Sequence, residues 1–450
     1  MRYGLLLFAL ACTTTATQPV DVHTYIVVLK DNVAPGAVYA NGRLRAVYHT
    51  ALNGFAIDLT DTSAQQLASN PAVKYVERDQ VLHATGTESV PGFGQYGLDR
   101  IDQRTVTFDG LYHWNADGTG VRVYVFDTGI RLTHVDFGGR AVGAYTAYND
   151  GNGFSDCNGH GTHVAGIIGG TTYGVAKNAT LESVRILDCN GFGLSSTTIA
   201  AIDWLNANAV KPAVVNMSLD GPFTQALNDA ITNSITTYGI TYIVAAGNDA
   251  GVACNFSPAS VPSALTVGAT DRYDGGWPNS NTGSCVDLLA PGVNITSDFF
   301  IDDNSIGTLT GTSMSTPFVT GGAALYLQGN PTATPAAVAS AIKTNATADV
   351  LTSIGTGTPN LMLYTLAFGG DQPPVAQFTS KCKIKRCTFD ASASTDDHGI
   401  VSYAWNFGDG MTGSGAVITH SYASTSYYLV TLTVTDTAGQ TSVVKKTVHA

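Results

Sequence analysis

Three short motifs in the middle of the chain carry residue types that can act together on a carbonyl group. Asp127-Thr128-Gly129 follows the apolar run Val121-Arg122-Val123-Tyr124-Val125-Phe126. Asn158-Gly159-His160-Gly161-Thr162-His163 opens a stretch of apolar and small residues, and Gly311-Thr312-Ser313-Met314-Ser315-Thr316-Pro317 opens another that runs to about Tyr326. A serine hydroxyl is a weak nucleophile at neutral pH and needs a base in hydrogen-bond reach, for which an imidazole is suited. His160 can take the proton of Ser313 and return it to a leaving group. Asp127, at a strand end, can hold the imidazole tautomer and stabilise the imidazolium. Ser313 at a helix amino terminus adds backbone N–H groups and a favourable dipole for a developing oxyanion. His163, three residues further along its helix, reads as a buried structural histidine. Each motif alone has an ordinary explanation as a cap or a turn; all three in order, each at a strand end or helix start, favour the triad.

The elements that must position these residues are legible from periodicity. Between Tyr96 and about Ala367, runs apolar on nearly both faces (Val121–Phe126, Ser183–Leu187, Ala213–Met217, Thr241–Ala245) alternate with segments apolar at helical spacing, Ser196–Ala209 and Phe223–Tyr238. Buried strands alternating with amphipathic helices predict an α/β fold: a parallel sheet with helices on both faces and chemistry at the strands' carboxyl ends. A small α+β unit precedes it, with strands expected at Tyr25–Leu29 and Phe55–Leu59 and a helix at Ser63–Ser69. After the linker-like Gly369-Gly370-Asp371-Gln372-Pro373-Pro374, short alternating strands, Val401–Phe407 and Tyr428–Val434, predict an all-β sandwich.

Composition narrows the classes. The 450 residues carry 22 Lys+Arg against 34 Asp+Glu, a net charge of −12, which argues against a nucleic-acid binder with its clustered basic face. The amino terminus, Arg2 followed by Gly4–Cys12 and small residues through Ala16, reads as a secretory signal, and no later run is long and apolar enough to span a bilayer. One of the 7 cysteines would leave with that signal. The other six, Cys157, Cys189, Cys254, Cys285, Cys382 and Cys387, can then pair in an oxidising compartment.

On these motifs, the segment from Tyr96 to Leu366 resembles a subtilase catalytic domain of the proteinase K and aqualysin branch. The resemblance implies that Ala245-Ala246-Gly247-Asn248 is the oxyanion loop, with Asn248 as side-chain donor. It also implies that Gly191-Phe192-Gly193 and Ser218-Leu219-Asp220-Gly221, with Ala246 and Gly247, hold an extended peptide. The family usually has Gly where Asp220 stands; its carboxylate is expected to point into solvent, the sharper alternative being attraction of Lys or Arg at the residue before the cut. Ser315 and Phe318 replace the usual Ala and His, which touches only local packing.

The same resemblance implies the pairs Cys157–Cys189 and Cys254–Cys285, and Cys382 with Cys387 would close a small loop. It implies structural Ca²⁺, held by Asp287 with the carbonyls of Pro262 and Ala264 and, at a second site, by Asp99, Asp102, Gln103 and Asp109. Thr24–Ala84 resembles an inhibitory subtilase propeptide, cut autocatalytically between about Ala84 and Ser89. Tyr403-Ala404-Trp405-Asn406-Phe407-Gly408-Asp409-Gly410 resembles a PKD-type domain, with Trp405 and the tyrosines expected in its core.

The expected organisation is a signal peptide (1–17), propeptide (18–88), catalytic domain (89–368), linker (369–374) and β-sandwich (375–450). The expected activity is that of a secreted, monomeric serine endopeptidase of broad specificity, made as an autoprocessed zymogen and inhibited by its own propeptide, with protein substrates and no nucleic-acid or membrane partner. A catalytically idle subtilase-like binding protein is the alternative. A serine esterase is less well matched, because Ser313 does not sit in a Gly-x-Ser-x-Gly elbow.

Overall fold

The structure, a computed structural model, describes residues 21–38, 42–84, 96–368, 374–394, 396, 399–436 and 439–450, and the backbone of 87–88. The signal-peptide segment 1–17 and linker residues 369–373 lie outside the described residues. The chain divides into two compact units. One comprises Met1–His113 and Asp117–Thr365, the other Trp114–Ala116 and Leu366–Ala450.

The centre of the first unit is a nine-stranded sheet. Its strands run in the order Thr347–Ala348, Leu361–Met362, Leu288–Pro291, Leu265–Thr270, Thr241–Ala245, Ala213–Met217, Arg122–Asp127, Thr180–Arg185, Ala141–Thr146. All neighbours are parallel except the first pair. Alternate residues serve opposite faces, as the two-residue period of a strand requires. Tyr124, Phe126, Val215, Met217, Tyr242 and Val244 pack with Ile199, Ile202 and Leu205 of helix Ser195–Asn208 and with Leu227 and Ile231 of helix Gln225–Tyr238. Val123, Val125, Val214 and Ile243, one residue out of phase, are fully buried as well. Helices His160–Gly169 and Thr312–Gly329 pack against one another and on the sheet. Both faces are therefore covered, which is why the strands read as continuous apolar runs rather than alternating ones.

The amino-terminal part forms a four-stranded antiparallel sheet, Arg43–Tyr48, Gly54–Leu59, His23–Leu29 and Val73–Arg78 in spatial order, with helix Asp61–Ala68. The side chain of Thr60 caps that helix by accepting from the N–H of Ser63. Ile26, Val28, Tyr48, Leu52 and Ala56 belong to the same apolar cluster as Ile199 and Leu227.

The second unit holds two antiparallel sheets, one of Thr379–Lys383, Arg386–Asp390 and Val417–Ser421, the other of Thr412–Ser414, Ile400–Asn406, Tyr427–Asp436 and Thr441–His449. Trp405 packs edge-on to Phe378 in its core, and its Nε1 donates to the Gly415 carbonyl at 2.9 Å. Tyr422 is buried too, whereas Tyr427 is 74% exposed and departs from the expectation that the tyrosines line the core. Cys157 is bonded to Cys189, Cys254 to Cys285, and Cys382 to its cross-strand neighbour Cys387.

Candidate active site

Parallel neighbours end on the same side of a sheet, so the adjacent strands Arg122–Asp127, Ala213–Met217 and Thr241–Ala245 deliver Asp127, Ser218 and the 246–248 loop to one edge. Asp127 is fully buried. His160, the first residue of its helix, places Nδ1 2.9 and 3.0 Å from the two Asp127 carboxylate oxygens. The helix can come so close to the strand end because residue 161 is glycine: a Cβ there would lie 2.1 Å from the Gly129 carbonyl oxygen. Asp156 fixes the helix start, accepting from the N–H groups of Asn158, Gly159 and Thr162 and from the Thr162 and Thr128 hydroxyls. This carboxylate was not singled out from the sequence, although an acid just ahead of a helix start is a readable capping signal.

Ser313 is the second residue of helix Thr312–Gly329, and its hydroxyl donates to the Ser218 carbonyl at 2.9 Å. The Ser218 hydroxyl donates back to the Ser313 carbonyl, Asn216 Nδ2 donates to Ser218 Oγ, and Thr320 donates to Asn216 Oδ1. This buried network ties the serine helix to the strand beside Asp127. Asn216 and Thr320, absent from the sequence reading, are internal to apolar elements and carry no local signal. Asn248 Oδ1 accepts from both the N–H (3.0 Å) and the hydroxyl (2.7 Å) of Thr312. Its amide is thereby oriented so that the Nδ2 hydrogens are not used in that contact, as an oxyanion donor needs. His163 is buried with Nε2 3.0 Å from the Ile295 carbonyl, and burial pushes its imidazole down to about 3. Ser315 donates to the Ala290 carbonyl, and Phe318 fills the space a Cβ at Gly97 would need.

The predicted peptide-binding edges hold a strand of the chain itself. Val81–Ala84 lies between Phe192–Leu194 and Leu219–Pro222 and pairs antiparallel with both: His83 opposite Phe192, Leu82 opposite Gly193, Ala84 opposite Leu219 and His83 opposite Asp220. The Ala84 N–H donates to the Gly191 carbonyl at 2.9 Å. Beyond it, Thr87 and Glu88 pair with Thr310 and Leu309, just ahead of Ser313. Two carboxylates upstream of this strand cap helices of the large sheet. Glu77 accepts from the N–H groups of Gln225 and Ala226, and Asp79 from the N–H and hydroxyl of Ser196.

Asp220 does not point into solvent. Its side chain is 1% exposed and lies 3.2 Å from His83 Nε2, because the occupying strand and the loop at Gly247 close over it.

The calcium candidates differ in how their donors are used. Pro262, Ala264 and Asp287 line one cavity, but Lys343 lines it as well, and its ammonium stands 3.0 Å from Asp287 Oδ1 while the Thr266 N–H donates to Oδ2. A cation there competes with Lys343. In the second group, Asp99 accepts from Gln103 Nε2 and from the N–H groups of Asp109 and Gly110. Asp109 pairs with His113. Asp102 accepts from the His113 N–H with Oδ2, but its Oδ1 is buried without a hydrogen-bond partner, and burial pushes the carboxyl up to about 6. That orphaned oxygen suits a hard cation. Among the described residues, the one group with three acidic, His or Cys ligand atoms within 4.8 Å is Asp150 with Cys157 and Cys189. Its sulfurs are joined in a disulfide and Asp150 is paired with Arg185, so it offers no metal chemistry.

Residues 118–363 match the subtilase family model, residues 24–85 the peptidase inhibitor I9 model, and residues 371–450 a PKD domain model. The chain is 52% identical over 323 residues to an extracellular serine proteinase of Thermus sp. (strain Rt41A), covering 72% of this chain and 78% of the relative. It is 44% identical over 332 residues to alkaline serine exoprotease A of Vibrio alginolyticus, covering 72% and 60%. A solved cold adapted subtilisin-like serine proteinase superposes with a TM-score of 0.59 at 47% identity, over 61% of this chain and 100% of that one. With a family model matching more than half its length and relatives of this identity, the chain belongs to the subtilase family.

Proposed function

We propose that Ser313 is the nucleophile of this subtilase, His160 its general base and acid, Asp127 the carboxylate that orients the imidazole, and Asn248 the side-chain oxyanion donor. The chain is a serine endopeptidase made as a zymogen with an inhibitor segment. In the proposed cycle His160 takes the Ser313 proton as Oγ adds to the scissile carbonyl. Asp127, held on Nδ1, stabilises the imidazolium. Asn248 Nδ2 and the backbone N–H groups at the start of the serine helix receive the oxyanion. The leaving amine takes the proton, and water repeats the sequence on the acyl-enzyme. Substrates bind as the strand Val81–Ala84 does, through the main chain of Gly191–Gly193 and Ser218–Gly221 beside Ala246 and Gly247, which gives broad specificity.

The observation that carries this reading is that strand, seated between two edges, one of which continues from Ser218, the residue whose carbonyl accepts from the Ser313 hydroxyl. It also supports self-cleavage of the precursor between Ala84 and Ser89, with mature enzyme from about residue 89; removal of a signal at 1–17, export and a separate sandwich from residue 375 belong to the same proposal on the sequence alone. Among the described residues no helix is long and apolar enough to cross a membrane. Calcium, when bound by Asp99, Asp102, Gln103 and Asp109, or by Asp287 with Pro262 and Ala264, would supply a structural cross-link between loops.

The test is casein hydrolysis by wild type and Ser313→Ala, with an acyl ester as control, both expressed in a protease-free host. Wild type should cut casein and itself; Ser313→Ala should do neither and remain full length. Normal processing of the variant overturns self-cleavage, and a wild type inert toward casein favours the idle binding protein.

A further inference from the structure

The strand that fills the groove also bears on which side chains the groove selects, an inference that rests on Val81–Ala84 being a substrate-like strand. His83 is paired with both edges at once, opposite Phe192 on one and Asp220 on the other. Asp220 is buried, and neither of its carboxylate oxygens accepts a well-formed hydrogen bond among the described residues. One oxygen faces His83; the other lies so close to the backbone of Gly247 that a Cβ there would come within 2.3 Å of it. The charged groups around it are the His83 imidazole and the carboxylate of Asp249. Burial and then Asp249 push the Asp220 carboxyl up to about 7.

A buried carboxylate beside a second one, with only the backbone N–H of Asn248 turned toward it from the protein, is a costly arrangement that a cation relieves. Among the described residues, the neighbour placed to supply positive charge is His83, which comes from the strand in the groove. We propose that Asp220, backed by Asp249, is a specificity-determining residue that selects a positively charged side chain at the substrate position held by His83, one residue upstream of the position paired with Leu219. This is at least one residue further from the cut than the position considered from the sequence, because the cut falls beyond Ala84.

The experiment uses the mature enzyme and fluorogenic peptides built on residues 81–88, Val-Leu-His-Ala-Thr-Gly-Thr-Glu, with Arg, citrulline, Ala or Glu replacing His83 and the cleaved bond identified by mass spectrometry. A charge-assisted contact in this setting predicts that Arg exceeds both Ala and its neutral isostere citrulline in kcat/KM by about tenfold at pH 9, with Glu poorest. The Arg advantage should shrink as the pH falls through 7 and Asp220 takes up a proton, while the citrulline-to-Ala ratio stays flat. Asp220→Asn should bring Arg and citrulline together. Should that variant fail to fold, the pH series on wild type still decides. Peptides cut at one common bond with Arg, citrulline and Ala equal overturn the proposal and leave the groove reading intact. Peptides that stay uncut while casein is digested, or are cut in another register, overturn the groove reading and the proposal with it.

Discussion

Removing the two carboxylates that the inhibitor segment places on the catalytic helices should speed its departure after cleavage by about two orders of magnitude. Glu77 receives the N–H groups of Gln225 (3.1 Å) and Ala226 (2.9 Å), at the start of helix Gln225–Tyr238. Asp79 receives the N–H of Ser196 at 2.9 Å and its hydroxyl, in the first turn of helix Ser195–Asn208. Loss of a helix cap costs about 1 kcal/mol and loss of an anion at a helix amino terminus adds about 0.5 kcal/mol. The caps sit on separate helices, so the two add to about 3 kcal/mol, or roughly a hundredfold in affinity. Most of that should be seen in the dissociation rate. The assay is the onset of peptidase activity after dilution of the cleaved but still associated complex, for wild type and the Glu77→Ala, Asp79→Ala double variant. Asp79→Asn tests the cause: the amide keeps an acceptor for the Ser196 N–H, so it should cost less than Ala, which strands both Ser196 donors. A double variant that releases its inhibitor at the wild-type rate would refute the reasoning.

Three further outcomes are expected from the geometry. Burial and the neighbouring Asp136 push the Asp298 carboxyl up to about 8; the unfolded chain, with an ordinary carboxyl near 3.9, gives up its proton first, so this stability is full below about pH 4 and is lost as the pH rises towards 8. Asp298→Asn should therefore raise Tm relative to wild type at pH 9 far more than at pH 4, and an equal difference at both would count against it. Asp127→Asn should lower kcat by about 10⁴-fold with little change in KM, because the amide can neither hold the neutral His160 ring in the Nδ1–H tautomer nor stabilise the imidazolium that forms; a kcat near wild type contradicts the assigned role. Chelation should lower the Tm of wild type, and Asp102→Asn should shrink that loss; a wild-type Tm indifferent to chelator argues against both calcium groups.

The features legible in the sequence were local. Asp127, His160 and Ser313 each sit at an element boundary announced by a few neighbours, and the four central strands are apolar because both of their faces are covered. The illegible ones depend on segments far apart in the chain. Asp220 looked like a surface residue at the lip of a pocket, and its burial arises from His83, well over a hundred residues earlier, and from the loop at Gly247. Glu77 and Asp79 carry no local signal of their role, yet they cap the helices that begin at Gln225 and Ser195. The Asn216–Ser218–Thr320 network is likewise invisible one element at a time. Lys343 at Asp287 shows the converse: a ligand set matched residue by residue says nothing about a lysine that reaches it from the helix Pro335–Asn345.

The apolar cluster shared by Ile26, Val28, Tyr48 and Leu52 with Ile199 and Leu227 bears on how long the active enzyme lasts. Those contacts seat the inhibitor segment on the helices that flank the sheet, and the proposed self-cleavage would remove one side of them. A mature molecule released from that segment would unfold without the surface its helices packed against, and its survival is then expected to follow how slowly it opens. The bonds Cys157–Cys189 and Cys254–Cys285, each closing a loop of about thirty residues in the part that remains, then act chiefly on lifetime.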